Sequence, residues 1–146
     1  MSPEPITIVL AEDDDGHATL VERNLRRAGF LNNFVRARDG QDALDLLTGA
    51  GEYVEKKITG PMLLVLDLKM PRLDGLEVLR ALKSSPHLAR IPVIMLTTTD
   101  DPREVEKCYE LGCSVYILKP IDYEAFIEAI RRLGLFLQLV KLPSPA

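Results

Sequence analysis

Four short apolar runs in this chain end on residues that carry chemistry. Ile6 to Ala11 runs into the acidic stretch Glu12-Asp13-Asp14-Asp15, Met62 to Leu66 into Asp67, Ile91 to Leu96 into Thr97, and Ser114 to Leu118 into Lys119. Glu12, Asp13 and Asp67 brought together concentrate negative charge, which is costly unless a cation neutralises it. A hard divalent ion meets that need, and Mg2+ takes few carboxylates while keeping water positions that phosphate oxygens can replace. Lys119 supplies an ammonium able to pair with a carboxylate and then with an arriving phosphoryl oxygen. Thr97 supplies a hydroxyl able to hydrogen-bond a new acceptor. The inventory suits phosphoryl transfer, in which positioning and charge neutralisation carry most of the catalysis. Singly, each residue has a plainer reading: a strand-end aspartate as a turn or cap residue, the acidic run as a loop with an N-cap in it, a lone lysine as a solvated surface group. Four of them at four separate strand ends favour the chemical reading.

Convergence of those ends requires the runs to lie side by side, and the stretches between them have helical spacing. Leu20, Leu25 and Ala28, with Ala18 and Val21, form a stripe from about Gly16 to Ala28 that Gly29 stops. Asn33 to Ala37 reads as a weaker strand, followed by a helix over Gln41 to Leu47 on which Ala43, Leu44 and Leu47 share a face. Glu52 to Gly60 is polar and irregular, a loop or a helix extension with a loop. After Pro71, Leu76, Val78, Leu79 and Leu82 lie on a helix ending near Ser84-Ser85-Pro86. Asp100 or Asp101 is placed to cap the next helix, with Pro102 in its first turn and Gly112 at its end. Asp122 caps a last helix carrying Tyr123, Phe126, Ile127, Ile130 and Leu133 at three- and four-residue spacing. The alternation is βα five times over. It argues a parallel sheet covered on both faces, because βα crossovers are right-handed and put helices over the sheet. Ligands of such sheets sit beyond the carboxyl ends of the strands, where Glu12, Asp13, Asp67, Thr97 and Lys119 stand.

The bulk properties set the class. A chain of 146 residues, 47% apolar and 27% charged, is expected to form one folding unit over residues 1–146, with a core over about 6–133 and an apolar helical extension and tail over 134–146. Eighteen Lys plus Arg against 22 Asp plus Glu give a formal charge of -4, which weighs against nucleic-acid binding. Basic groups such as Arg36 with Arg38, or Arg131-Arg132, read as solvated faces. No apolar stretch reaches the roughly 18 residues of a membrane span, and the opening residues do not resemble a secretory leader, so a cytoplasmic protein is expected. Cys108 and Cys113 are the only cysteines, lack CxxC spacing and read as packed free thiols. His17 and His87 read as surface residues.

The motifs themselves resemble the bacterial response-regulator receiver domains of two-component systems. The matching segments are Val9 to Asp14, Leu64 to Gly75 (LVLDLKMPRLDG), Pro92 to Thr97, and Gly112 followed by Tyr116-Ile117-Leu118-Lys119-Pro120. They occur in the family's order over nearly the whole chain. The resemblance implies a flavodoxin-like (βα)5 three-layer sandwich whose parallel five-stranded sheet has the order 2-1-3-4-5. It implies Asp67 as phosphoacceptor, with Lys119 and Thr97 as its catalytic companions and Mg2+ as cofactor. The cation would be held by Glu12, Asp13, Asp67 and the backbone carbonyl of Lys69, with Asp13 in direct contact. Asp14 and Asp15 take only a minor electrostatic part. Thr97 and Tyr116 become the switch pair, and the side chains of Lys69 and Thr98 modulate the lifetime of the phosphorylated state.

By the same resemblance the partner is a sensor histidine kinase. The protein is then a signalling switch that promotes its own phosphorylation and dephosphorylation rather than a conventional enzyme. The enlarged segment before the third strand, the run Thr97-Thr98-Thr99-Asp100 and the ending Leu139-Val140-Lys141-Leu142-Pro143 look like the small regulators that partner bacteriophytochromes. No output segment is recognised after the receiver, so the signal is expected to pass through protein contacts or a phosphorelay to a downstream phosphotransfer protein. Two rival readings differ in class. An aspartate-nucleophile phosphatase needs a second acid two residues after the nucleophile, where Lys69 stands. A phosphorylation-independent receiver-like binding module would be expected to lack part of the set Glu12, Asp13, Asp67, Thr97 and Lys119, which is complete.

The tail adds a further expectation. Leu133, Leu135, Phe136, Leu137, Leu139, Val140 and Leu142 place apolar groups around much of the last helix rather than on one stripe. One stripe covers the sheet and the rest needs another cover. A homodimer surface of Leu133, Phe136, Leu137 and Val140 is the expected solution, against an intramolecular fold-back of the tail.

Overall fold

The computed structural model describes residues 6–30, 33–51, 58 and 60–142. Strands and helices alternate as β1 Thr7–Ala11, α1 Asp15–Arg27, β2 Phe34–Ala37, α2 Gly40–Thr48, β3 Met62–Leu66, α3 Gly75–Ser84, β4 Val93–Thr97, α4 Pro102–Glu110, β5 Val115–Leu118 and α5 Tyr123–Leu137. All strand pairs are parallel and the sheet order is β2-β1-β3-β4-β5. This is the flavodoxin-like (βα)5 sandwich the sequence implied. Glu52 to Lys57, within the segment read as a loop, lie outside the described residues.

The period-2 geometry of the three central strands builds the three layers. Val9 and Ala11, Leu64 and Leu66, and Val93 and Met95 face one side, where Leu46 and Leu47 of α2, Val78, Leu79 and Leu82 of α3 and Cys108 of α4 cover them. The intervening residues Ile8 and Leu10, Leu63 and Val65, and Ile94 and Leu96 face the other side under Val21 and Leu25 of α1 and Phe126 and Ile130 of α5. Both faces are apolar, so each central strand reads as a continuous apolar run rather than an alternating one. Edge strand β5 is only partly covered.

Helix starts follow local capping. Asp14, Asp39, Asp74, Asp101 and Asp122 are the five N-caps, and each side chain accepts from a backbone N–H of its helix. Asp74 and Glu77 form a reciprocal capping box. β1, β2 and β5 each begin one residue later than the sequence reading, and β4 differs most, beginning at Val93, not Ile91. Pro92 has no N–H for the ladder, and only its carbonyl takes part, accepting from Leu64 N at 3.0 Å.

The tail corrects the expected dimer surface. Leu133 and Leu137 are buried against the sheet face that α1 and α5 cover, and Leu142 packs onto the same cluster. Leu133 and Leu137 continue the stripe of Phe126 and Ile130 at helical spacing, so the core claims them first. Gly134 lets α5 approach α1 closely: a Cβ there would stand 2.8 Å from that of Ala28. Gln138 Nε2 donates to the carbonyl of Ala28 at the end of α1. Of the four residues expected on the surface, Phe136 is 57% exposed and Val140 half-buried, while Leu135 and Leu139 are exposed beside them. Residues 143–146 lie outside the described residues.

Candidate functional site

The carboxyl ends of β1, β3, β4 and β5 meet at one edge of the sheet, and backbone bonds hold each in register there. Asp67 N donates to Ala11 O at 3.1 Å, Glu12 N to Ala37 O at 3.1 Å, and Lys119 N to Thr97 O at 2.7 Å. One carboxylate oxygen from each of Glu12, Asp13 and Asp67 lies within 4.8 Å of the others. Such a group suits a hard divalent cation that takes several oxygens. Glu12 is buried, Asp67 only slightly exposed and Asp13 open to solvent, so the cluster has a floor and an accessible side.

Lys119 is the charge that organises the floor. Its side chain is 3% exposed, and its ammonium donates to Glu12 Oε1 and, at 3.2 Å, to Asp67 Oδ2. Burial pushes the Glu12 carboxyl up to about 7, against the lowering effect of the Lys119 hydrogen bond; the neighbouring Asp67 charge adds to the rise. With one lysine among three carboxylates, the cluster holds more negative charge than its ammonium balances. That surplus, like burial, favours the protonated form of Glu12.

Thr97 closes β4 fully buried, with its hydroxyl 3.4 Å from the backbone N–H of Thr99. Tyr116, expected as the switch partner of Thr97, is partly buried: its hydroxyl donates to the carbonyl of Thr99 and its ring packs on the core. Burial pushes that phenol up to about 12. Lys69 and Thr98 are exposed at the mouth of the site.

The loop after β3 is braced from below and from the side. Gly75 sits where any Cβ would collide with the carbonyl of Asp67, and its N–H donates to Leu68 O at 2.8 Å. Arg72, with φ 64°, reaches Asp39 through Nε at 2.8 Å and Nη2 at 2.9 Å, tying this loop to the start of α2. The guanidinium holds the Asp39 carboxyl below its usual range.

Two residues read as surface groups belong to the site. His17 Nδ1 lies 3.2 Å from Lys119 Nζ, and its ring packs at 5.7 Å from that of Phe126. The same Nδ1 stands 3.6 Å from Glu12 Oε1, so the ring lies against both members of the Lys119–Glu12 pair. The available signal was spacing: His17 stands four and eight residues before Val21 and Leu25, on the buried stripe of α1. Arg36, read as solvated, donates to the backbone carbonyl of Glu12 from Nε at 3.0 Å and from Nη2 at 2.9 Å, and pairs with Asp15. Nothing local in the sequence marks it. His87, by contrast, is exposed, and Cys108 and Cys113 are buried free thiols, as read.

A doubly wound α/β domain with an acidic cluster, a buried lysine and a threonine at its strand ends is the arrangement of the phosphoacceptor receiver class. Residues 8–131 match the response regulator receiver domain, and the chain belongs to that family. It is 34% identical over 144 residues to Response regulator Rcp1 of Synechocystis sp., covering 98% of this chain and 97% of that one. A crystal structure of a response regulator receiver domain from Rhodospirillum rubrum superposes with a TM-score of 0.85 at 44% identity, over 95% of this chain and 98% of that one. The phosphorylated cyanobacterial phytochrome response regulator RcpA superposes with a TM-score of 0.86 at 32% identity, over 94% and 98% of the two chains. No helix among the described residues is long and apolar enough to cross a membrane.

Proposed function

We propose that this chain accepts a phosphoryl group on Asp67 from a phosphohistidine of a sensor histidine kinase and passes the signal on through its surface. The observation that carries this reading is the Lys119 ammonium bridging Asp67 and Glu12 in a cluster of three carboxylates. In the transfer, an Asp67 carboxylate oxygen attacks phosphorus, the P–O bond forms as the P–N bond breaks, and the donor imidazole leaves and takes up a proton. Lys119 follows the charge from the Asp67 carboxylate to a phosphoryl oxygen. Glu12, Asp13, Asp67 and the backbone carbonyl of Lys69 would hold Mg2+, which when bound neutralises the phosphoryl oxygens. Thr97 then offers its hydroxyl to one of the new acceptors, and the β4–α4 loop follows, carrying the Tyr116 contact at Thr99 with it. Hydrolysis of the acyl phosphate resets the switch, with Lys69 and Thr98 at the mouth governing access of water.

Incubating the protein with Mg2+ and a small acyl phosphate, followed by intact mass, tests the reading. One added phosphoryl group is expected, and none in Asp67→Asn. No mass gain, or a gain that persists in the variant, removes it.

The partner we propose is a phytochrome-type histidine kinase, supported by the likeness to RcpA at 94% coverage of this chain. A homodimer remains our reading of Leu135, Phe136 and Leu139, exposed together after the core has taken Leu133 and Leu137. Phe136→Glu followed by light scattering tests it without disturbing the core; a dimer unaffected by that change removes this surface. A downstream phosphotransfer protein is the remaining proposed recipient, tested by adding a histidine phosphotransfer domain to the phosphorylated chain and following the label.

A further inference from the structure

We infer that Arg36 is a positioning residue for the divalent cation, acting through the backbone of Glu12 rather than by touching the ion. The inference rests on the Mg2+ reading above. Arg36 stands on β2 opposite Leu10 of β1, so its side chain leaves the sheet beside the last residues of the neighbouring strand. Its guanidinium donates twice to one oxygen, the carbonyl of Glu12, from Nε at 3.0 Å and Nη2 at 2.9 Å. The third nitrogen, Nη1, pairs with Asp15 at the start of α1.

The backbone of Glu12 is thereby held at both its N–H and its carbonyl. Glu12 N donates into the ladder at Ala37 O, and Glu12 O is held by Arg36. Asp13 is the one exposed member of the acidic cluster and, among the described residues, no hydrogen bond orients its carboxylate, so its direction depends on the Glu12–Asp13 peptide plane, whose carbonyl is Glu12 O. Arg36 is the group that sets the plane. The guanidinium is one-fifth exposed, and its planar fork makes the two converging bonds that a single ammonium does not reproduce.

Charge and positioning pull in opposite directions here, which makes the role testable. A cation beside an acidic cluster opposes the binding of a second cation, so loss of the charge alone strengthens Mg2+ binding. Loss of the clamp weakens it. Arg36→Lys keeps the charge and removes the fork, while Asp15→Asn removes the ion pair and keeps the clamp.

Titration of Mg2+ alone into the full chain, followed by calorimetry, reads the affinity directly. Arg36→Lys is expected to weaken it roughly three- to tenfold, the net worth of about one hydrogen bond, and Asp15→Asn to leave it within about twofold, because an exposed ion pair contributes little. In phosphorylation by a small acyl phosphate, the half-saturating Mg2+ concentration of Arg36→Lys should rise by the same factor while the rate at saturating Mg2+ stays that of the unaltered chain. Unchanged or tighter Mg2+ binding in Arg36→Lys overturns the inference. So does an equal loss in Asp15→Asn, or a fall in the saturating rate with affinity intact. Failure of the unaltered chain to take up Mg2+ strikes the metal reading itself, a different result from failure of the variant alone.

Discussion

Glu12 is buried at 2% exposure beside Asp67 and Lys119, and its carboxyl is pushed from 4.5 to about 7, mainly by desolvation. Its raised value means that the metal-free native state binds a proton which the unfolded chain releases between those two values. Metal-free stability therefore falls as pH rises from about 4.5 to about 7, and Glu12→Gln should flatten that part of the stability curve in urea melts at successive pH values. A cation that takes Glu12 as ligand must displace the proton. Mg2+ binding is accordingly expected to tighten between pH 6 and 8 with proton release, seen as a dependence of the calorimetric heat on buffer ionisation. At the same scale, burial pushes the Cys108 thiol up to about 11 and Cys113 upward as well. Both should resist thiol reagents at neutral pH in the native protein and react on denaturation, as counted by mass.

Among the elements, the loop from β3 to α3 carries Asp67 and is braced at both ends. Gly75→Ala forces a methyl against the Asp67 carbonyl and should cost about 1–3 kcal/mol. Asp74→Ala, one residue earlier, removes a capping box and should cost about 1 kcal/mol. Denaturant melts measure both, but only the glycine change should also slow phosphorylation, because only it moves the acceptor's own backbone. Sequence reading placed this loop's elements closely, with β3 matched at both ends, since an apolar run and the helical spacing of Leu76, Val78, Leu79 and Leu82 are local signals; the Asp74 cap it did not single out. It did not find the Arg72 to Asp39 brace, whose partners are 33 residues apart and belong to different elements.

The whole molecule divides its apolar residues between two sheet faces, and that division decides what the tail can do. Leu137→Ala, which opens the face under α1 and α5, is expected to cost about 2–5 kcal/mol. Phe136→Ala, one residue away and 57% exposed, should leave monomer stability within about 0.5 kcal/mol. Thermal melts of the pair, at a concentration where light scattering shows one species, separate core from surface on a single helix.

The sequence by itself determined the five βα units, the cap at Asp122, a cap at Asp100 or Asp101 that the structure resolves as Asp101, and the presence of Glu12, Asp13, Asp67, Thr97 and Lys119 at strand ends. Each of these depends on neighbours a few residues away, through alternation, helical spacing or a cap. Only the tertiary structure decided that Lys119 bridges Glu12 across 107 residues, that His17 and Arg36 join the site, and that Leu133 and Leu137 turn inward rather than toward a partner. Those outcomes depend on which side chains share a volume once the sheet is assembled; helical spacing aligns His17, Leu133 and Leu137 with buried stripes but does not say which groups they meet there.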